Sequence, residues 1–361
     1  MFIKKRLRNK LHPERIVAAL DTIIQTDDSI LHNKYNVKRI ATVQRKIKAI
    51  KTIDDFVFDL YQFIKNAAEQ EAQYIIFPEY NFFDLFHLLP GLSYVDRYLN
   101  RRSQQKTKRA LNKGNVHLQS NHTLKKLFHL MAEPSEIALL TLMKRLAQHF
   151  RMYIYTGTYI HKKGNHLVNR GTFINPDGEI MLHQDKVHLT DFEASIGLAR
   201  ENRIQAIDLP IGKIAIPICM DASYFETFKL ATSLQAEIVI IPIANNEAYH
   251  KWRAMRGIWG RVQETYVYGV KSSLNGWLGG MQFTGKAGFF APCEMTKHFD
   301  GVVQIAPESY GDYVIVNDLD VTQLRQVRHN ATYFGDKNEV FEKNYFKKTY
   351  VTNKEGLHDA F

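Results

Sequence analysis

Apolar residues recur along this chain in two rhythms, short unbroken blocks and stretches spaced three or four apart, and the two alternate. VKRIATVQ at 37–44 is a β-like run; after it Thr52 and Asp55 stand at capping-box spacing ahead of Phe56, Leu60, Ile64 and Ala67 at helical intervals. YIIFPEY at 74–80 is the continuous block of a buried strand, closed by a proline and a carboxylate. IALLTLMKRLAQHF at 137–150 predicts a helix that feeds a strand at MYIYTGT, 152–158. GTFI at 171–174, Asn175-Pro176-Asp177-Gly178 and EIMLHQ at 179–184 spell strand, tight turn and returning strand, because Pro sets φ and Asp-Gly accepts the reversal. RIQAIDLPIGKIAIPI at 203–218 predicts a further hairpin that ends at Cys219, with a helix expected near 224–234 and a strand at EIVIIPI, 237–243. Helix and strands are expected through 249–272 and 286–292, and DYVIVNDLD at 312–320 closes the core. This alternation predicts an α/β fold of stacked sheets covered by helices.

The 361 residues suit one large core with extensions. Residues 1–35 are expected to form an N-terminal helical extension, 36–328 the main domain with a basic insertion near 95–132, and 329–361 a C-terminal tail. The formal charge of +11 is unevenly spread: no acidic residue occurs from Arg97 to Ala132, where Arg97, Arg101, Arg102, Lys125 and Lys126 are among the cations. That stretch is expected to be a solvated face, with a lid that attracts an anionic substrate, an oligomer contact, or a membrane or nucleic-acid patch as alternatives. It lacks interleaved aromatic residues for stacking bases, so no specific nucleic-acid partner is expected. The basic start is not followed by an apolar segment, and no run approaches about 18 apolar residues, so the expectation is a cytoplasmic protein without a membrane span. Cys219 and Cys293 are too few for a disulfide framework, and His117, His122 and His129 match no common zinc spacing, so no metal is expected.

Three ionisable residues stand just beyond apolar strands: Glu79 in FPEY, Lys186 in HQDKVHL and Cys219 in IPICMD. Strand ends hold side chains rigidly at the rim of a cleft, where α/β sites are usually built. A thiol is a poor nucleophile until deprotonated, so a carboxylate that accepts its proton and a cation that favours the thiolate would activate Cys219. Attack on an amide carbonyl creates an oxyanion, for which the Lys186 ammonium and the Met220 backbone N–H are the candidate donors. Glu79, once protonated, can protonate the leaving amine, and Glu193 can position Lys186 or the hydrolytic water. Against these readings, a lone cysteine after a strand is ordinarily an inert core residue, and Glu193 also fits a carboxylate at a helix N-terminus. His183 and His188 flank Lys186 and are expected to be structural or solvated, and Asp221 to fix the turn after Cys219.

FPE at 77–79, DKVHLTDFE at 185–193 and ICMD at 218–221 resemble the three signature segments of the nitrilase, or carbon–nitrogen hydrolase, superfamily, in that family's order of Glu, Lys and Cys. NPDGEI, GKIAIPIC and GKAGFFAP agree as flanking matter, over roughly residues 37–330. The resemblance implies a four-layer αββα sandwich, usually a homodimer, so that a homodimer or higher homo-oligomer is expected, and cofactor-free hydrolysis of non-peptide carbon–nitrogen bonds. It implies Glu79 as general base, Lys186 as stabiliser of the intermediate, Cys219 as nucleophile and Glu193 as the second active-site glutamate. Cys219-Met220-Asp221 resembles the amidase and carbamoylase branches rather than the Cys-Trp-Glu of true nitrilases. ATVQ at 41–44, NDLDVTQLRQVR at 317–328 and Arg261 with Glu264 resemble a bacterial branch sometimes fused behind an acetyltransferase domain, a domain that is not expected within these residues. Glu226 matches a glutamate after the nucleophile turn, but Tyr224-Phe225 replaces the usual Phe-Pro, Thr265 stands where Asn is frequent, and Asn245, Asn246 and Glu247 reproduce no recognisable substrate-binding pattern.

The expected function is therefore hydrolysis of a small linear amide or carbamoyl compound through a thioester on Cys219, releasing ammonia or an amine. An acyl or amide transferase on the same scaffold, and a non-catalytic binding protein that uses the basic segment, are the alternatives.

Overall fold

The computed structural model describes residues 2–27, 37–109, 121–332 and 338–352. Two compact units partition the chain, 1–321 and 322–361. In chain order the first contains α1 (Phe2–Lys10), α2 (Pro13–Thr26), β1 (Arg39–Lys46), α3 (Ile53–Glu69), β2 (Tyr74–Ile76), α4 (Leu92–Arg109), α5 (Asn121–Phe150), β3 (Tyr153–Lys163), β4 (His166–Ile174), β5 (Ile180–Asp185) and α6 (Asp191–Ser195). It continues with β6 (Ala206–Leu209), β7 (Gly212–Ala215), α7 (Phe225–Ser233), β8 (Ile238–Ile243), α8 (Lys251–Arg256), α9 (Trp259–Thr265), β9 (Tyr268–Leu278), β10 (Met281–Phe283), β11 (Gly288–Phe290), β12 (Val302–Ile305) and β13 (Tyr313–Asp318). The second unit holds most of α10 (Val321–Asn330) and all of α11 (Glu339–Thr352).

The strands join into one hydrogen-bonded network of 13. Among the described residues its pairing resolves into two sheets, β13-β1-β2-β3-β4-β5 and β12-β11-β9-β8-β7-β6, connected where Gln44–Lys46 of β1 run parallel to Ser273–Asn275 of β9, with β10 paired to the far end of β9. Each sheet carries helices on its outer face. Phe56, Leu60, Ile64 and Ala67 of α3, with Leu139, Leu142 and Leu146 of α5, pack on Val43, Ile75 and Ile154. Phe228 and Ala231 of α7, with Val262 of α9, pack on Ala215, Val239 and Ile241. The result is the α/β four-layer αββα sandwich, and its cause is burial: strands such as IVIIPI, buried at every position, need cover on both faces.

Local chemistry starts these elements where the sequence places them. Thr52 Oγ1 accepts the Asp55 N–H at 3.3 Å and Asp55 Oδ2 accepts the Thr52 N–H at 2.9 Å, the reciprocal capping box that begins α3. One boundary differs from the sequence reading. The helix expected at 137–150 begins at Asn121 and carries Pro134 inside it, so residues 121–132 of the basic insertion belong to α5. Phe128 and Met131, both buried, prolong its apolar stripe past the proline, and this packing outweighs the lost backbone hydrogen bond. Arg97, Arg101 and Arg102 on α4 are exposed, and His117 lies outside the described residues.

Candidate active site

Glu79 lies three residues past β2, in a tight turn whose next residue, Tyr80, takes the left-handed φ of 54°. That conformation is costly for a residue with a Cβ and persists only when surroundings hold it. Here Thr158 holds it, its Oγ1 accepting the Tyr80 N–H at 2.9 Å and its backbone oxygen the Asn81 N–H at 3.0 Å. The turn presses on Gly157, where φ is +72° and an added Cβ would meet the Pro78 carbonyl at 2.1 Å. Cys219 has the same kind of backbone, φ 47°, and opens a single 3-10 turn through Ser223. Asp221 clamps it: one carboxylate oxygen accepts the Ile218 N–H at 2.9 Å, the other the His188 N–H at 2.6 Å.

Lys186 follows β5 directly and is buried. Its ammonium donates to Glu79 Oε1 and to both oxygens of Glu193, each at 2.8 Å. Glu193 is held from several sides. Thr190 donates to it through its N–H at 2.8 Å and its hydroxyl at 3.0 Å, and the Tyr80 hydroxyl donates to its other oxygen. Glu193 completes the capping box of α6 and also accepts from Lys186. Asn169 Nδ2 bridges the two carboxylates, 2.9 Å from Glu79 Oε1 and 3.1 Å from Glu193 Oε1, and the Ala244 N–H donates to Glu79 Oε2 at 3.0 Å. The Cys219 thiol faces Asn245 Oδ1 at 3.9 Å and lies in the electrostatic field of Glu79 and Lys186.

The charges in this enclosure shift one another. Burial pushes the Glu79 carboxyl up, Lys186 pulls it back and Glu193 pushes it again, leaving it at about 7. Burial opposes the ionised Glu193, but Lys186 together with the Tyr80 and Thr190 donors keeps it below the ordinary value. Burial likewise opposes the Lys186 ammonium, and Glu79, Cys219 and Glu193 outweigh it, so the lysine stays charged. Burial and the Glu79 charge push the Cys219 thiol well above its usual range. At neutral pH a neutral thiol thus lies near a Glu79 carboxyl that is close to the midpoint between acid and carboxylate.

Glu79, Lys186 and Glu193 are brought together within hydrogen-bond reach, and Met220 follows Cys219 in the turn. Tyr80, Asn169 and Ala244 were missed by the sequence reading. A signal existed for two of them: Tyr80 adjoins Glu79, and Asn169 is a polar residue inside a buried strand. Ala244 acts through its backbone and carries no side-chain signal. His188 and His183 are structural, as expected: His188 Nδ1 lies 3.0 Å from Asp221 and its ring stacks on Tyr224, while His183 Nδ1 lies 2.9 Å from the Thr172 hydroxyl. The basic insertion also reaches this region, because Phe128 of α5 packs edge-on against Tyr80 and Phe83 and meets Phe192 beside Glu193. No helix among the described residues is long and apolar enough to cross a membrane.

A family model described as carbon–nitrogen hydrolase matches residues 39–292. Among curated proteins, the chain is 22% identical to the probable hydrolase YhcX of Bacillus subtilis over 81% of its own length and 52% of that protein, so it spans about half the length of this relative. It is 20% identical to the omega-amidase NIT2 of Homo sapiens, covering 83% of this chain and 94% of that one. Among solved structures it resembles a glutamate-to-glutamine mutant of an amidase from Nesterenkonia sp. AN1 showing covalent addition of the acetamide moiety of fluoroacetamide at the active-site cysteine. That pair has a TM-score of 0.55 at 14% identity, over 88% of this chain and 100% of that one, a likeness of fold.

Proposed function

The chain belongs to the carbon–nitrogen hydrolase family, and we propose that within it the protein is an amidase that cleaves a small linear amide or carbamoyl compound through a thioester on Cys219. The observation that carries this reading is the Lys186 ammonium held at 2.8 Å from both Glu79 and Glu193. Glu79, near 7, takes the thiol proton as sulfur attacks the carbonyl carbon. The oxyanion forms beside the Met220 N–H and the Lys186 ammonium, whose charge is already fixed there by its two carboxylates. Glu79 returns its proton to the leaving nitrogen, and the carbon–nitrogen bond breaks to give a thioester and ammonia or an amine. Water then loses a proton to Glu79 and attacks the thioester carbon; the expelled sulfur takes that proton back from Glu79, which releases a carboxylic acid and regenerates both the thiol and the Glu79 carboxylate. Glu193 holds the lysine throughout. No cofactor is required by this sequence of steps. The same reading takes the protein as cytoplasmic and homodimeric, with the main domain at 36–328 between a helical extension and a tail.

The test is ammonia release across a panel of linear amides and carbamoyl compounds, for wild type and Cys219→Ala. Loss of release with an unchanged circular-dichroism spectrum supports the mechanism; turnover retained by the variant removes it.

A further inference from the structure

Helix α4 reverses the usual order of a surface helix, because polar groups anchor it to the protein while its aromatic side chains point outward. Asp96, buried, accepts the Gly279 N–H at 2.5 Å and the Asn100 amide at 2.8 Å, and His87 Nε2 lies 3.2 Å from it. Asn100 Oδ1 accepts the Gly280 N–H at 2.7 Å, and the Ser93 hydroxyl donates to the His87 carbonyl at 3.1 Å. These bonds fix α4 to the turn after β9 and to the 3-10 turn Phe83–Leu88 that follows the Glu79 turn. At about 100° per residue, Tyr94, Tyr98 and Arg101 form a stripe on the opposite side, flanked by Val95, Arg97 and Arg102. Tyr94 is 77% exposed, Tyr98 63% and Val95 51%, and the three arginines are exposed beside them. Among the described residues, the side chains of these tyrosines and arginines make no hydrogen bond, ion pair or ring contact.

The outward face is also without counter-charge. Asp96 is the only acidic residue from Leu92 to Ala132, and it is turned inward. Basic α1, with Lys5 and Arg6 exposed, ends close by, where Lys10 donates to the Leu88 carbonyl at 3.0 Å. Exposed rings among unpaired cations mark a contact surface, and its chemistry narrows the occupant. A second copy docked by a two-fold axis would set arginine against arginine. Single-stranded nucleic acid is tracked by a groove, whereas these side chains stand on the outer crest of a helix. An anionic bilayer is a flat surface that takes such a crest, with tyrosine rings at headgroup level and guanidinium groups on phosphate. We propose that α4 is a peripheral membrane-binding helix, which rests Tyr94, Val95 and Tyr98 at the headgroup level of an anionic phospholipid bilayer and places Arg97, Arg101 and Arg102 on lipid phosphates. The proposal is independent of the chemistry at Cys219.

The experiment is sedimentation of the full chain with vesicles of phosphatidylcholine alone or with about 30% phosphatidylglycerol, at salt concentrations of about 0.1 and 0.5 M. Binding to the anionic vesicles at the lower salt is expected, with about tenfold weaker binding to phosphatidylcholine and release at the higher salt. Replacing Arg97, Arg101 and Arg102 together by Gln should weaken binding about tenfold or more. Tyr94→Ser with Tyr98→Ser leaves the charge unchanged and should weaken it on the order of fivefold. Replacing Lys162, Lys251 and Lys297 by Gln removes the same charge from exposed positions on other elements, and should change binding by less than about twofold. Absence of binding to anionic vesicles at the lower salt overturns the proposal. Equal loss in the two triple variants does so too, since it marks net charge rather than α4. Tighter binding of a labelled single-stranded oligonucleotide, abolished by the same α4 substitutions, assigns the face to nucleic acid instead. A lower sedimentation coefficient of the tyrosine variant without vesicles assigns it to a second copy, and likewise overturns the proposal. Should a variant not fold, the wild-type dependence on lipid charge and salt decides by itself.

Discussion

Asp221, two places after Cys219, accepts the backbone N–H of His188, two places after Lys186, at 2.6 Å. One buried carboxylate thereby ties the turn carrying the sulfur to the loop carrying the ammonium, and its other oxygen holds the Ile218 N–H at 2.9 Å. Asp221→Ala leaves these buried donors without an acceptor. The expected outcome is a loss of about 3–5 kcal/mol in urea unfolding, with slower alkylation of Cys219 in the protein that remains folded. Asp221→Asn also costs stability, because an amide presents a donor where an acceptor is required.

Activity should rise with pH through about 7 along a one-proton limb, since Glu79 must be ionised to accept the thiol proton and its carboxyl is pushed to that value. A profile of kcat/KM against pH checks this. An acid limb at the ordinary carboxylate value, near 4, would show that Glu79 is not the group that titrates.

Lys186→Met removes the cation between two buried carboxylates. Glu79 and Glu193 then share an enclosure with no counter-charge, so their folded-state pKa values rise above the unfolded ones. Groups raised in this way contribute stability that is present at low pH and lost as pH rises through the folded value. The variant should therefore lose about 3–5 kcal/mol at pH 8 and distinctly less at pH 5, measured by urea unfolding at both. Equal destabilisation at the two pH values would contradict the pairing seen at Lys186.

Gly157→Ala should damage the site without touching a charged group. Its Cβ would meet the Pro78 carbonyl at 2.1 Å and Asn81 Cβ at 2.8 Å, at a φ of +72°. Relief requires moving the turn that carries Glu79. We expect a loss on the order of 2 kcal/mol or more in stability, together with a fall in kcat below the melting transition that exceeds any change in KM.

Much of this protein is set locally. Strands such as YII and IVIIPI, the Thr52–Asp55 capping box and the turn at Asn175–Gly178 follow from side-chain period and turn chemistry, which act over a few residues and need no knowledge of the rest of the chain. For the same reason the positions of Glu79, Lys186 and Cys219 beyond strand ends were legible. Pro134 shows the limit of local rules: it suggests a helix boundary, yet buried Phe128 and Met131 carry α5 through it.

Tertiary structure decided what each charged or polar group faces. Asn169 reads as a polar residue inside a strand until β4 carries it between two carboxylates, and Ala244 contributes only an N–H whose value depends on Glu79 lying 3.0 Å away. Lys186 and Lys271 are the clearest contrast. Both are lysines at or within strands, and sequence alone does not distinguish them. The fold gives one two carboxylates and the other a single backbone carbonyl, so that burial leaves the first ammonium charged and brings the second near the point of losing its proton. The energy of a buried charge is set by the groups packed around it, and those groups come from distant parts of the chain.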